Sequence, residues 1–135
     1  MKYFTITELC YSDTAKKQGI YNEPTAAVAD NLVRLVENVL DPLREAYGKP
    51  IKVNSGYRSK ALNKVIPNAS KTSQHLEGKA ADIVGTPNTK AENTKLFNLV
   101  QELHLPFDQL IDESGMTWIH VSFDLHRQRG QVLKL

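Results

Sequence analysis

Apolar residues between positions 25 and 47 recur at steps of three and four, which predicts an amphipathic helix. Pro24 suits the first turn of this helix, because a proline there loses no needed hydrogen bond. Pro42 should kink or interrupt the helix near its end, and Gly48 is a plausible stop. The apolar positions that define the pattern are Val28, Leu32, Leu35, Val36, Val39 and Leu43.

Two further helices are predicted from their start signals. Ser12 or Asp13 can cap a short helix over "SDTAKK". Thr89, with Glu92 three residues later, forms a capping-box pattern in front of a second amphipathic helix. The segment "YRSKALNKVI" can begin a helix or a long turn, and the stretch after it is rich in turn residues.

Four segments read as strands, because they alternate apolar and polar residues or are short apolar runs. They are "PIKVNSG", "AADIVG", "FDQLIDE" and "TWIHVSFD". The last two are predicted to form a hairpin around Ser114 and Gly115. With helices first and strands later, we predict an α+β fold in one domain, residues 1–135, with a small, mainly antiparallel sheet packed against helices.

Composition narrows the possible functions only modestly. The 135 residues suffice for one core, and a net charge of +2 without a long basic run gives little support to nucleic-acid binding. The basic end "HRQRGQVLKL" is interpreted as a solvated edge or tail. Cys10 is the single cysteine, so an internal disulfide is excluded, and we interpret it as a small packed residue. No signal-peptide or bilayer-length apolar run is present, so synthesis in the cytoplasm without membrane insertion is expected.

Two histidines and an aspartate stand in segments that otherwise look like packed structure. Alternation along the last predicted strand places His120 on a polar face, opposite a core face of Ile119 and Val121. Asp82 interrupts an apolar strand, where a carboxylate is costly unless it is paired or bound to metal. His75 lies on the loop before that strand. A catalytic zinc site takes three such ligands and leaves one position open.

Each residue also has a simpler interpretation. His120 can be a half-exposed strand histidine, Asp82 can cap a turn or pair with a cation, and His75 can be solvated. His104 and His126 are competing ligand candidates, although both have easy surface interpretations at element ends. Spacing alone therefore leaves the metal site as a hypothesis.

Three blocks, "SGYRS", "SQHLEGKAADI" and "WIHVS", occur in this order and resemble the signature blocks of the zinc D-alanyl-D-alanine carboxypeptidase family. The resemblance extends over about residues 4–123 and is strongest to the small phage and bacterial branch, which includes endolysins. It implies a hedgehog/DD-peptidase-like fold with a metal cleft. It also implies that His75, Asp82 and His120 bind zinc.

The resemblance further implies roles around the metal. Arg58 should face the substrate and stabilise developing negative charge, and Ser73 should support the site by hydrogen bonding. Gln74 and Trp118 are expected, with Ser73, to line the substrate site.

One position departs from the family pattern. Many relatives carry an acid three residues before the second zinc histidine, and here Thr117 stands there. Glu113 or Asp112 could replace it as general base. We favour Glu113, although the strand register that would decide between them is not fixed by sequence.

The sequence therefore predicts a zinc metallopeptidase that cleaves a peptide bond in peptidoglycan stem peptides or cross-links, as a carboxypeptidase or an endopeptidase. A monomer is expected, acting on the wall if phage lysis releases it. The alternative is a non-catalytic, zinc-containing module that binds the cell wall or serves as a phage structural part.

Overall fold

The structure is a computed structural model that describes every residue from Met1 to Leu135. Its N-terminal part is helical, as the apolar periodicity predicts, and two further helices lie between the strands. The α-helices are α1 Ile6–Cys10, α2 Asp13–Gln18, α3 Ala26–Leu35, α4 Asp41–Tyr47, α5 Lys60–Val65 and α6 Lys90–Glu102.

The long predicted helix runs through residues 26–47 but is interrupted in the middle by a π-helical segment, Val36–Leu40. Pro42 lies directly after this segment, in the first turn of α4, where its missing N–H removes a helical hydrogen bond. The Asp41 N–H reaches back to the Val36 carbonyl, the five-residue step of a π turn. The chain thus accommodates the proline without breaking the helix, which ends at Gly48 in the left-handed conformation.

Five strands form one sheet in the order β1-β2-β4-β3-β5. The four predicted strands pair antiparallel with their neighbours, and β3 and β4 form the expected hairpin. The α+β fold with a mainly antiparallel sheet is therefore confirmed. The strands are β1 Lys52–Ser55, β2 Ala80–Val84, β3 Gln109–Glu113, β4 Trp118–Ser122 and β5 Gln131–Lys134.

The basic C-terminal segment is more structured than its composition suggests. Its last residues form β5, which pairs parallel with β3 at the edge of the sheet. The interpretation as a tail is thus wrong, whereas that of an exposed edge holds, since Val132 remains 42% exposed. The alternation in β5 buries no apolar face, so hydrophobic pattern alone gives no strong strand signal.

One face of the sheet packs against the helices and forms the core. Ile119 and Val121 of β4 and Leu110 of β3 are fully buried there, together with Leu32 and Leu35 of α3. Because side chains alternate along each strand, the residues between these core positions face the other side of the sheet. None of the helices combines the length and apolar character that a membrane span would need.

Candidate metal centre and substrate cleft

The two central strands, β2 and β4, bring Asp82 and His120 directly opposite each other in their antiparallel register. His75 joins them from a 3₁₀ turn, Gln74–Glu77, that precedes β2. One side-chain donor atom from each residue lies within 4.8 Å of the other two, so the three could hold one metal ion. His75, Asp82 and His120 are the residues that the sequence singles out, and the fold brings all three together.

His75 is fixed by its other ring nitrogen. Its Nδ1 lies 2.7 Å from the Gly56 carbonyl oxygen, which can only accept, so Nδ1 carries the proton and donates. This leaves the lone pair of Nε2 free, 3.3 Å from Asp82 Oδ1. Metal-binding histidines usually donate their other ring N–H to a carbonyl or carboxylate in this way, which fixes the ring orientation.

His120 approaches the same carboxylate oxygen from the opposite strand. Its Nδ1 lies 3.1 Å from Asp82 Oδ1, and its ring meets that of His75 edge to face, with the ring centroids 5.1 Å apart. The donor set is therefore His75 Nε2, His120 Nδ1 and an Asp82 oxygen. Two imidazoles and one carboxylate match the three-ligand pattern of catalytic zinc sites, so the residues present fit zinc.

The protonation states also suit metal binding, which requires neutral imidazole and ionised carboxylate. Burial lowers the pKa of His75, because the charged ring would be desolvated, although Asp82 opposes this effect. For Asp82 burial acts to raise the pKa, but the two neighbouring histidines outweigh it and the net shift is downward. At neutral pH the pair is thus held as neutral imidazole and anionic carboxylate.

Two glycines make room for the turn that carries His75. Gly78 ends the turn at a φ of +72°, and a Cβ there would lie 2.8 Å from the Val28 carbonyl oxygen. At Gly56 an added Cβ would overlap the carbonyl oxygen of Leu9. Both positions therefore require glycine for close packing of the turn and of its supporting loop against the helices.

The cluster opens into a cleft of about 1130 Å³ that crosses the polar face of the sheet. Residues from β1, β2, β3 and β4 line it, and Trp118 is one of them. Glu113 also lines the cleft, on β3 opposite Trp118. Burial raises the pKa of Glu113, and the nearby Asp82 charge adds to that effect.

The register separates the two candidate bases. Asp112 pairs with Ile119 on the core side of the sheet, and its Oδ1 accepts a hydrogen bond of 2.6 Å from the Met116 N–H. It closes the β3–β4 turn and does not line the cleft, which favours Glu113 over Asp112 as the predicted base. Thr117, at the family's acid position, lies exposed in this turn and donates its hydroxyl to the Ser114 carbonyl.

Arg58 lies beside the cluster, in the cleft wall. Its Nη2 is 3.3 Å from Ser73 Oγ, which also accepts from the backbone N–H of His75 and caps the 3₁₀ turn. The Arg58 Nε is buried and has no hydrogen-bond partner. Burial lowers the pKa of Arg58, against the opposing effect of the Asp82 charge. The Arg58 Nε is therefore an unsatisfied donor beside the metal cluster.

Gln74 has an arrangement that the sequence does not reveal. Its Nε2 donates to Asp108 Oδ2 at 2.9 Å, while its Oε1 is buried without a partner at the cleft. Asp108 is fully buried and is also bound by Arg129. No motif marked Asp108 or Arg129; the one available signal was an aspartate directly after the apolar Phe107 at a strand start.

The remaining histidines take no part in the cluster. His104 follows the end of α6 and His126 lies in the loop after β4, and both are exposed. Their surface interpretation is the one that the structure supports.

The fold and the donor set together define a class: an α+β protein in which two histidines and one aspartate, able to hold a metal ion, lie in an open cleft. The chain belongs to the family described as Peptidase M15, whose profile matches residues 2–122. Members of this family are zinc-dependent metallopeptidases that act on peptides of peptidoglycan, and the donor set here is able to hold that metal. No match is found among curated proteins.

Proposed function

We propose that residues 1–135 form one peptidase domain that hydrolyses an amide bond inside a peptidoglycan stem peptide or cross-link, as an endopeptidase. The observation that supports this most is the course of the cleft. Its lining begins at β1, on one edge of the sheet, crosses the metal cluster on β2 and β4, and continues past β3 to Leu135 at the end of β5.

A cleft of this extent offers binding surface on both sides of the cluster. Strands lie about 4.8 Å apart, so five strands span roughly 19 Å, the length of about six extended residues. A carboxypeptidase needs only one residue beyond the scissile bond, whereas an endopeptidase must accommodate chain in both directions. Trimming of a terminal D-alanine is therefore the less favoured form of the reaction.

In this proposal His75, Asp82 and His120 hold the zinc ion. When bound, zinc lowers the pKa of a water molecule to about 7 and polarises the substrate carbonyl. Glu113 accepts the proton of the attacking water and delivers it to the leaving amine, for which a raised carboxyl pKa is favourable. The half-buried Arg58 guanidinium in the cleft wall donates to the carbonyl oxygen as negative charge develops there.

Ser73, Gln74 and Trp118 complete the proposed substrate site. Ser73 accepts a hydrogen bond from Arg58, and Gln74 lines the cleft next to His75. Trp118, opposite Glu113, offers a flat apolar wall for side chains of the peptide. The likeness to endolysins further supports a role in wall cleavage during phage lysis.

A non-catalytic wall-binding or phage structural module is the second candidate, and Thr117 is the observation that favours it. Its side chain cannot serve as a base at neutral pH, and its hydroxyl is already bonded within the turn. This candidate predicts that zinc and peptide bind without turnover.

The test uses the full chain with its zinc content measured before assay. Purified cross-linked muropeptide dimers and uncross-linked pentapeptides are incubated with the protein, and the products are identified by mass. An endopeptidase splits the dimer or the stem, a carboxypeptidase releases only D-alanine, and a binding module yields no product. Removal of zinc by a chelator should abolish turnover and re-addition should restore it; hydrolysis by metal-free protein would overturn the proposal.

A further inference from the structure

Two arginines in the loop between β4 and β5 line the same cleft but have no role in the proposed reaction. Arg127 and Arg129 both lie beyond residue 122, where the match to the Peptidase M15 family ends. They surround Asp108, whose carboxylate is fully buried. This loop is thus a part of the cleft wall that family membership does not explain.

The two arginines differ in how much of their bonding capacity is already used. Arg129 is bound to Asp108 through two side-chain bonds, Nε to Oδ1 at 2.8 Å and Nη2 to Oδ2 at 3.0 Å, and through its backbone N–H. Arg127 approaches only to 3.5 Å through Nε, and its two terminal nitrogens make no hydrogen bond within the protein. Its side chain is 55% exposed.

The charges around Asp108 do not cancel. The single Asp108 carboxylate faces two guanidinium groups. Asp124 also lies near Arg127, but its carboxylate is bonded to Lys79. Arg129 is held by its bonds to Asp108, whereas the two terminal nitrogens of Arg127 remain free to bind a ligand. Such a planar donor pair binds a carboxylate through two parallel hydrogen bonds, and it does so better than a lysine can.

The position of Arg127 relative to the metal cluster follows from the strand register. Asp108 directly precedes β3 at its Gln109 end, whereas Glu113 stands at the other end of the same strand, about 17 Å from Asp108 at strand rise. Gln74, the neighbour of His75, bonds to Asp108 and connects the arginine pair with the metal turn. Arg127 therefore lies on the side of the cluster opposite Glu113.

We propose that Arg127 binds a carboxylate of the peptide substrate away from the scissile bond, on the side of the metal cluster opposite Glu113. Peptidoglycan stem peptides carry such free carboxylates on their acidic residues, and in many walls these groups are converted to carboxamides. Arg127 thus makes the enzyme selective for peptides whose carboxylate is unmodified. The inference rests on the proposed function, because it takes a wall peptide as the occupant of the cleft.

The test compares Arg127→Gln and Arg127→Lys, both zinc-loaded, on matched stem peptides with free carboxylates or with the same groups as carboxamides. We expect Arg127→Gln to raise KM for the acidic peptide about tenfold or more, with kcat changed less than about threefold. KM for the carboxamide peptide should hardly change, and Arg127→Lys should restore part of the loss. Arg34→Gln, on α3 outside the cleft, is the matched control and should leave both peptides unaffected.

Equal losses on the two peptides, or an unchanged KM for the acidic one, would overturn the role of Arg127. To separate this result from failure of the proposed function, both peptides are also titrated onto zinc-loaded Glu113→Gln protein with and without Arg127→Gln. If the wild type hydrolyses neither peptide, the proposed function fails, while a preference for the acidic peptide that depends on Arg127 still supports the carboxylate site. Binding that ignores the carboxylate overturns that site.

Discussion

Glu113 is the acidic side chain of the β3–β4 hairpin that reaches the cleft, and its replacement separates catalysis from metal binding. Glu113→Gln keeps the size of the side chain but removes its ability to take a proton. We expect kcat to fall by about 10²- to 10⁴-fold while the zinc content stays at one per chain. Steady-state kinetics on muropeptides, together with elemental analysis, check this result.

The neighbouring acid provides the contrast. Asp112→Ala removes the acceptor of the buried Met116 N–H and should lower the free energy of unfolding by about 1–3 kcal/mol. Its kcat should remain within about threefold of the wild type, because Asp112 faces the core side of the sheet. A large loss of kcat in the folded Asp112→Ala variant, with Glu113→Gln still active, would reverse the assignment.

Single residues show how far sequence reasoning reaches in this chain. The two-residue period of a strand identifies the polar face of His120, and the three motif blocks identify the metal donors. The choice between Glu113 and Asp112 depends on strand register, which sequence alone leaves open. The pairing of Asp112 with Ile119 favours Glu113. The Gln74–Asp108 bond joins residues 34 positions apart, and no local pattern encodes such a contact.

At the scale of elements, α6 is joined to the sheet by a buried asparagine. Asn93 is fully buried; its Oδ1 accepts from the Gly85 N–H at 2.8 Å and its Nδ2 donates to the Met116 carbonyl at 2.9 Å. One side chain thus ties the end of β2 to the β3–β4 turn. It thereby holds together the strands that carry Asp82 and His120.

Asn93→Ala should therefore lower the free energy of unfolding by about 3 kcal/mol, because it leaves buried backbone groups unpaired. Asn98→Ala, on an exposed position of the same helix, should change it by less than about 0.5 kcal/mol. Urea denaturation followed by circular dichroism measures both. Similar values for the two variants would show that the Asn93 bonds contribute little.

The loop after β1 supports the metal turn through Gly56. Gly56→Ala would push the loop away from the Leu9 carbonyl and displace the oxygen that orients His75. We expect the zinc affinity to fall by about 10- to 100-fold, which is the usual effect of losing the hydrogen bond that orients a metal-binding histidine. Gly115→Ala, at a positive φ but with open space around it, is the control and should keep its zinc affinity. Competition with a chromogenic chelator measures both.

Helices and strands with a strong local sequence signal could be predicted, and those without such a signal could not. The long helix, α6 with its Thr89 cap, and the β3–β4 hairpin follow from periodicity and capping residues. The strand β5 buries no apolar face. It is positioned by its pairing with β3 and by the hydrogen bonds between Arg129, just before the strand, and Asp108. Such a strand is specified by tertiary contacts, which sequence patterns do not carry.

For the molecule as a whole, the hydrogen bonds that Asp108 accepts from Arg129 and Gln74 in the cleft wall make the free energy of unfolding depend on pH in the acid range. Burial would raise the Asp108 pKa, but its bonds to Arg129 and Gln74 outweigh this and lower the pKa to about 2 from 3.8. A carboxyl whose pKa is lower in the folded than in the unfolded chain adds to the free energy of unfolding at pH values above its unfolded pKa. This contribution is lost as the pH falls toward the folded pKa.

We therefore expect Asp108→Asn to lower the free energy of unfolding by about 2 kcal/mol at pH 6. The difference from the wild type should shrink as the pH falls from about 4 to about 2, because the wild-type carboxyl then becomes neutral. Urea titrations at several pH values test this. A difference that stays constant over that range would mean that the Asp108 charge does not contribute.

The antiparallel pairing of β2 with β4 has one more consequence. Two of the three donors stand on the middle strands, flanked on both sides by hydrogen-bonded neighbours. The backbone hydrogen bonds of the sheet fix the separation of these two donors. Little conformational entropy is therefore lost when they bind an ion. The strand register therefore sets the distance between these two donors.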